Sequence, residues 1–145
     1  MSVAAGKTEG MSSVHLSAFT CYRDPDAAVR WITSVLGFEV VREFHHEGAL
    51  THAELKRDDA VVCVQRDDRG YDVPAPKGDC VGSGLYVVVD RADIIAIHER
   101  AVAYGSTVLI APETTPWGNF RTELLDPEGR QWSIGAYWPG QPGDW

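Results

Sequence analysis

Residues 117–138, WGNFRTELLDPEGRQWSIGAYW, read as two strands joined by a tight turn. Asp126-Pro127-Glu128-Gly129 is the turn. Pro127 presets φ at the first central position, and Gly129 accepts the positive φ that closes it. Before the turn, Phe120-Arg121-Thr122-Glu123-Leu124 alternates its side chains between two faces. After it, Trp132, Ile134 and Ala136 share one face, and Gln131, Ser133 and Gly135 share the other. A sheet with one apolar face requires a covering layer.

The cover lies just upstream. Leu85 to Val89 is an apolar strand, and Asp90 or Asp93 then opens a helix with the stripe Ile94, Ile95, His98, Ala101 and Val102. Gly105 ends that helix, Thr107 to Ile110 is a strand, and APETTPWG is a loop into the hairpin. The same order occupies the first half. Val14 to Tyr22 is strand-like. Asp24 caps a helix with Pro25 at its first position, and Gly37 ends it. Ala28, Trp31, Ile32, Val35 and Leu36 form its apolar stripe. Three strands follow, Phe38 to Phe44, Leu50 to Lys56 and Ala60 to Gln65, with turns at His45-His46-Glu47-Gly48 and Arg57-Asp58-Asp59.

The halves lie over each other. Asp24…Gly37 matches Asp90…Gly105, His52-Ala53-Glu54-Leu55 matches Arg121-Thr122-Glu123-Leu124, and Val62-Cys63-Val64 matches Trp132-Ser133-Ile134. The chain is therefore expected to be α+β: two tandem βαβββ modules forming a curved mixed sheet around a central trough. The expected boundaries are a disordered leader at 1–13, the first module at 14–66, a Gly-, Pro- and Asp-rich linker at 67–83, the second module at 84–138, and a tail at 139–145. A trough between two sheets is the natural place for a ligand.

Composition narrows the partners. The 145 residues suit one domain or two small fused modules. A formal net charge of −8 argues against nucleic acid, whose phosphates favour a basic surface. No apolar run reaches the length of a membrane span, and the start lacks the pattern of a secretory signal. A cytoplasmic protein is expected. Cys21, Cys63 and Cys80 are an odd, scattered set, neither a disulfide framework nor a zinc motif, and Cys21 and Cys63, in apolar strands, read as buried reduced thiols.

The duplicated module resembles the vicinal oxygen chelate superfamily of glyoxalases, bleomycin-resistance proteins and extradiol dioxygenases. The fragments that carry the resemblance are RDPDAAVRWITSVLGFEVV, HAEL, YVVVDRADIIAIHERAVAYG and PWGNFRTELLDPEGRQWSI. The PWG loop before the DPEG turn makes the bleomycin-resistance-like and glyoxalase-like members the nearest in pattern. Metal enzymes of the superfamily take one ligand from the first and one from the last strand of each module. By this resemblance those positions fall on Ser17, on Cys63 or Val64, on Ser83 or Gly84, and on Ser133. Serine, glycine and valine do not ligate a divalent ion of this kind, and Cys63 alone does not make a site. No metal cofactor is expected; a divalent metal on non-standard ligands is the alternative.

Two sets of residues are candidates for function. His52 and Glu54 stand at i and i+2 on one strand, so they share a face, and are the catalytic candidates. They form either a polar group inside the trough, with Arg121 and Glu123 in matching positions, or a solvated face. Phe19, His52, Tyr86, Trp117 and Arg121 are the ligand-binding candidates. The aromatic rings suit stacking on a planar ligand, and Arg121 suits pairing with an anionic group. The alternatives are core packing for Phe19 and Tyr86 and a hydrophobic plug for Trp117. The expected function is binding of a small planar or aromatic molecule without a metal. The alternative is a metal-dependent lyase, isomerase or dioxygenase. The resemblance implies a homodimer, and Tyr137, Trp138 and Trp145 in the tail suit packing on a partner copy.

Overall fold

A computed structural model describes residues 14–142. The first module holds β1 (Ala18–Tyr22), α1 (Pro25–Leu36), β2 (Glu39–His46), β3 (Ala49–Arg57) and β4 (Ala60–Arg66). The second holds β5 (Gly84–Val88), α2 (Arg91–Tyr104), β6 (Thr107–Thr114), β7 (Phe120–Leu125) and β8 (Gln131–Gly135). Their sheets run β1-β4-β3-β2 and β5-β8-β7-β6, and in each the first strand lies parallel to the last. The registers repeat as well. Cys63 lies beside Phe19 and opposite Glu54, and Ser133 lies beside Tyr86 and opposite Glu123. The α+β fold and its duplication are thus as expected. Leader residues 1–13 and Trp145 lie outside the described residues. Among the described residues no helix is long and apolar enough to cross a membrane.

Both helices start and stop where their capping residues dictate. Asp24 accepts the Ala27 N–H at 3.0 Å and Asp90 accepts the Asp93 N–H at 2.8 Å, so Asp90 is the cap of α2. Gly37 and Gly105 close the helices at φ 76° and 86°. Several boundaries differ from expectation. β1 begins at Ala18, the first residue with a partner on β4, and Val14 and Leu16 are exposed. β2 runs on through His45 and His46, leaving Glu47-Gly48 as a two-residue turn with positive φ at both positions. β6 continues to Thr114 because it pairs with β7 as far as Phe120. On α2 the buried stripe is Ile94, Ile97 and Ala101, while Ile95 and Val102 are exposed. That helix meets the core along a narrower line than α1.

One core joins the modules. Trp31 of α1 packs on Trp132 of β8 with ring centroids 5.8 Å apart, and its indole N–H donates to Ser106 at 2.8 Å. Ile32, Val35 and Leu36 join Ile94, Ile97 and Ala101 in the same cluster, with Ala53, Leu55 and Val64 from one sheet and Leu124 and Ile134 from the other. The polar ties also cross between modules. Arg57, which also holds the Leu36 carbonyl of its own module, donates across to Asp93 at 3.0 Å. The Glu128 carboxylate accepts the Arg23 and Asp24 N–H groups, each at 2.9 Å.

This packing decides where ligands have access. Strand residues alternate, so if Ala53, Leu55 and Val64 face the core, then His52, Glu54 and Cys63 face away from it. In the other sheet Leu124, Trp132 and Ile134 face inward, and Arg121, Glu123 and Ser133 face away. The two sheets are separate, and each turns an open face from the shared core. Within one chain the expected trough is not one continuous surface, because the two open faces belong to separate four-stranded sheets.

Candidate functional site: two open sheet faces

On the C-terminal face the Glu123 carboxylate is only 8% exposed and fully engaged. It accepts from Gln131 Nε2 at 2.8 Å and from Ser133 Oγ at 2.6 Å, and Arg121 Nε lies 3.6 Å away. Gln131 also ties down the segment that crosses between modules: its side chain accepts the Val81 N–H at 2.7 Å and donates to the Asp79 carbonyl at 3.3 Å. Arg121 Nη1 is buried without a hydrogen-bond partner, 3.6 Å from Glu113. Above this floor is the turn Thr115–Gly118, closed by a 2.9 Å bond from the Gly118 N–H to the Thr115 carbonyl. Its tip carries Trp117, 75% exposed. The open depression between them holds about 270 Å³ and is lined by Asp79, Cys80, Trp117, Asn119, Arg121 and Glu123 among others. Its lining includes no residue of the first module.

Tyr86 stands next to this space. Its hydroxyl donates to the Tyr137 carbonyl at 2.6 Å and accepts from Asn119 at 3.4 Å, and burial raises its pKa. Gly135 leaves room for that ring, since a Cβ there would collide with the Tyr86 hydroxyl.

On the N-terminal face His52 Nε2 lies 3.4 Å from Glu54 Oε2. The ligand atoms of His52, Glu54 and Cys63 all fall within 4.8 Å of one another. Burial pushes the Cys63 thiol pKa up, and the negative charge of Glu54 adds to the shift. The His52 ring packs on Phe44 at 5.4 Å between centroids. Phe19 is 70% exposed beside Cys63, so it is not core.

The structure therefore joins Trp117 and Arg121 at one cavity with Tyr86 beside it, and joins His52 and Glu54 with Phe19 nearby on the other face. It does not bring His52 to Arg121. Trp117 and Phe19 are exposed side chains rather than plug or core. Three participants escape sequence reading. Cys63 is passed over as an isolated thiol, although its register with Glu54 follows from the two-residue turn between β3 and β4. Asn119 and Gln131 carry no motif; only their bonds mark them.

The superfamily's metal positions do not fit an ion in this chain. Ser17 precedes β1 and Gly84 opens β5, each two residues before the residue beside the last-strand position. Gly84 has no room for a ligand side chain, because a Cβ there would lie 2.7 Å from the Gln131 carbonyl oxygen. The Ser133 hydroxyl is committed to Glu123.

A further cavity of about 320 Å³ lies at the module junction, under Asp72, Val73 and Pro74. Tyr22, Gly84, Leu85, Arg130 and Trp132 line its wall, with the Arg130 guanidinium 4.7 Å from the Tyr22 ring centroid.

The fold is shared with solved structures. TioX from Micromonospora sp. ML1 is 27% identical with a TM-score of 0.67, over 87% of this chain and 100% of that one. A glyoxylase/bleomycin resistance protein/dioxygenase domain from Frankia sp. EAN1pec is 16% identical with a TM-score of 0.68, over 90% and 96%. Lactoylglutathione lyase from Agrobacterium tumefaciens is 22% identical with a TM-score of 0.60, over 86% and 93%. No curated protein sequence matches significantly. A family model spans residues 14–134, and by it the chain belongs to the Glyoxalase/Bleomycin resistance protein/Dioxygenase superfamily.

Proposed function

We propose that this protein binds a small planar ligand carrying an anionic or acceptor group on its C-terminal face, without the superfamily's metal centre. The observation that carries the reading is Arg121. Its Nη1 is buried with no hydrogen-bond partner, 3.6 Å from the Glu113 carboxylate, and Arg121 lines the same open depression as the exposed Trp117. A buried N–H left unmatched costs about 1–3 kcal/mol, and an acceptor on a ligand would recover it. The guanidinium plane and the indole and phenol rings of Trp117 and Tyr86 suit a flat partner. Two copies complete the trough in this reading: the open N-terminal face of one chain, with Phe19 and His52, meets the C-terminal face of the other.

The test is a panel of planar aromatic carboxylates, with intrinsic fluorescence and thermal melting as readouts. Binding that weakens about tenfold or more in both Trp117→Ala and Arg121→Ala, while those variants keep the native fold, supports the reading. Equal binding by the Arg121→Ala variant removes it. Sedimentation of the full chain tests the dimer.

A metal-dependent lyase, isomerase or dioxygenase is the second reading. The convergence of His52, Glu54 and Cys63 favours it. Turnover that requires an added divalent ion is its test.

A further inference from the structure

We infer a metal site that shares only Cys63 with the superfamily positions and takes its other ligands from β3: His52 Nε2, a Glu54 carboxylate oxygen and Cys63 Sγ bind one divalent ion of borderline softness, with zinc the first candidate. This goes beyond the ligand-binding reading, which gives Glu54 and Cys63 no role, and it stands on the geometry of one chain alone.

The duplication itself is the strongest support. By register, His52 occupies the place of Arg121, Glu54 that of Glu123, and Cys63 that of Ser133. In the second module these positions form a closed group: Ser133 donates to Glu123 at 2.6 Å, and Arg121 supplies the positive charge. The same backbone geometry in the first module places a thiol where the hydroxyl stands and an imidazole where the guanidinium stands. Guanidinium has no lone pair to offer, whereas neutral imidazole and thiolate do. The carboxylate is retained. One module thus neutralises its glutamate internally, and the other surrounds it with donors.

The distances fit. Two nitrogen or oxygen ligands of a tetrahedral zinc, each at about 2.0–2.1 Å, stand about 3.4 Å apart. His52 Nε2 and Glu54 Oε2 are already 3.4 Å apart. All three ligand atoms lie within 4.8 Å of one another. Cys63 Sγ, no more than 4.8 Å from either partner, reaches a zinc position by side-chain adjustment on a half-open face. Imidazole, thiolate and carboxylate together suit zinc better than calcium or magnesium. Three protein ligands leave a fourth position open to water or a ligand, as in catalytic rather than structural sites. Phe44 against His52 holds the imidazole in place. The competing description is a plain His–Glu pair beside a thiol. Arg42, opposite Glu54 on β2, is the cation that would serve it, and its guanidinium sits over Phe44 at 5.8 Å.

The experiment uses untagged, metal-free full chain. Zinc affinity and stoichiometry are measured by competition with a chromophoric chelator. Cobalt(II) is added separately to look for a thiolate-to-metal charge-transfer band. One equivalent of zinc and a charge-transfer band are expected. Loss of an outer partner of a metal ligand costs about 10–100-fold in affinity, so Cys63→Ser and His52→Gln are each expected to lose at least that. Cys21→Ser is expected to bind zinc normally. Melting of each apo variant separates lost binding from lost fold. No zinc uptake at micromolar concentration, or a band that survives Cys63→Ser, overturns the site.

Discussion

Tyr22 in the first module donates its phenol hydrogen to Asp126 in the second at 2.6 Å. Asp126 is the first residue of the DPEG turn, and it also accepts from the Trp132 indole at 3.1 Å and from the Glu128 and Arg130 N–H groups at 3.0 Å each. The turn that shapes the second module is therefore a fastening point for the first. A hydrogen bond to a charged group contributes about 1.5–3 kcal/mol, so Tyr22→Phe is expected to lower stability by that amount in denaturant melts.

The same bond has a pH signature. Burial, chiefly, and then the Asp126 charge raise the Tyr22 pKa far above its ordinary 10.0. Above pH 10 the unfolded chain loses this proton and the folded chain keeps it, so the contribution is complete below pH 10 and declines above it. The stability gap between wild type and Tyr22→Phe is expected to shrink in unfolding measured at pH 11 compared with pH 8. A gap that widens contradicts the assignment.

Trp31 is fully buried and touches the other module through Trp132 and Ser106. Trp31→Ala is expected to cost about 3–5 kcal/mol. Because the core is shared, the loss is expected as one transition seen together by far-UV circular dichroism and tryptophan fluorescence. Two separated transitions in the wild type would contradict a single core.

Gly84→Ala is expected to destabilise by about 1–3 kcal/mol, because the added Cβ meets a backbone oxygen on β8 rather than a flexible side chain. Thermal melting checks it, and an unchanged melting temperature would mean β5 and β8 can part without cost.

The Asp67 carboxylate accepts the N–H groups of Arg69, Gly70 and Tyr71 at 2.7–2.8 Å, and the Arg69 bond leads in holding its pKa below the usual 3.8. Its support for this turn is complete above pH 3.8 and is lost as pH falls through the depressed value. The three amide resonances are expected to titrate together with an inflection below 3.8. An inflection at or above it would mean the bonds do not form in solution.

Much of this was legible before the structure. Asp24, Pro25 and Gly37 mark one helix locally, and Asp90 and Gly105 mark the other, because capping needs only neighbours along the chain. Alternation gave the inward Leu124, Trp132 and Ile134 against the outward Glu123 and Ser133. The expected α2 stripe went astray at Ile95 and Val102, since apolar residues one position apart point in different directions and only the contact with α1 selects between them.

By itself, then, the sequence determined the duplicated βαβββ plan, the helix ends, the DPEG turn and the face to which each strand residue belongs. These follow from φ preferences, capping and periodicities that act over a few residues. Tertiary structure alone decided how the modules meet. Trp31, Trp132 and the facing helices close into one core, which turns the two polar faces outward. It also brought Cys63 to His52 and Glu54, and Gln131 to Glu123. These are pairings across strands, fixed by register and packing between residues that carry no local signal of each other.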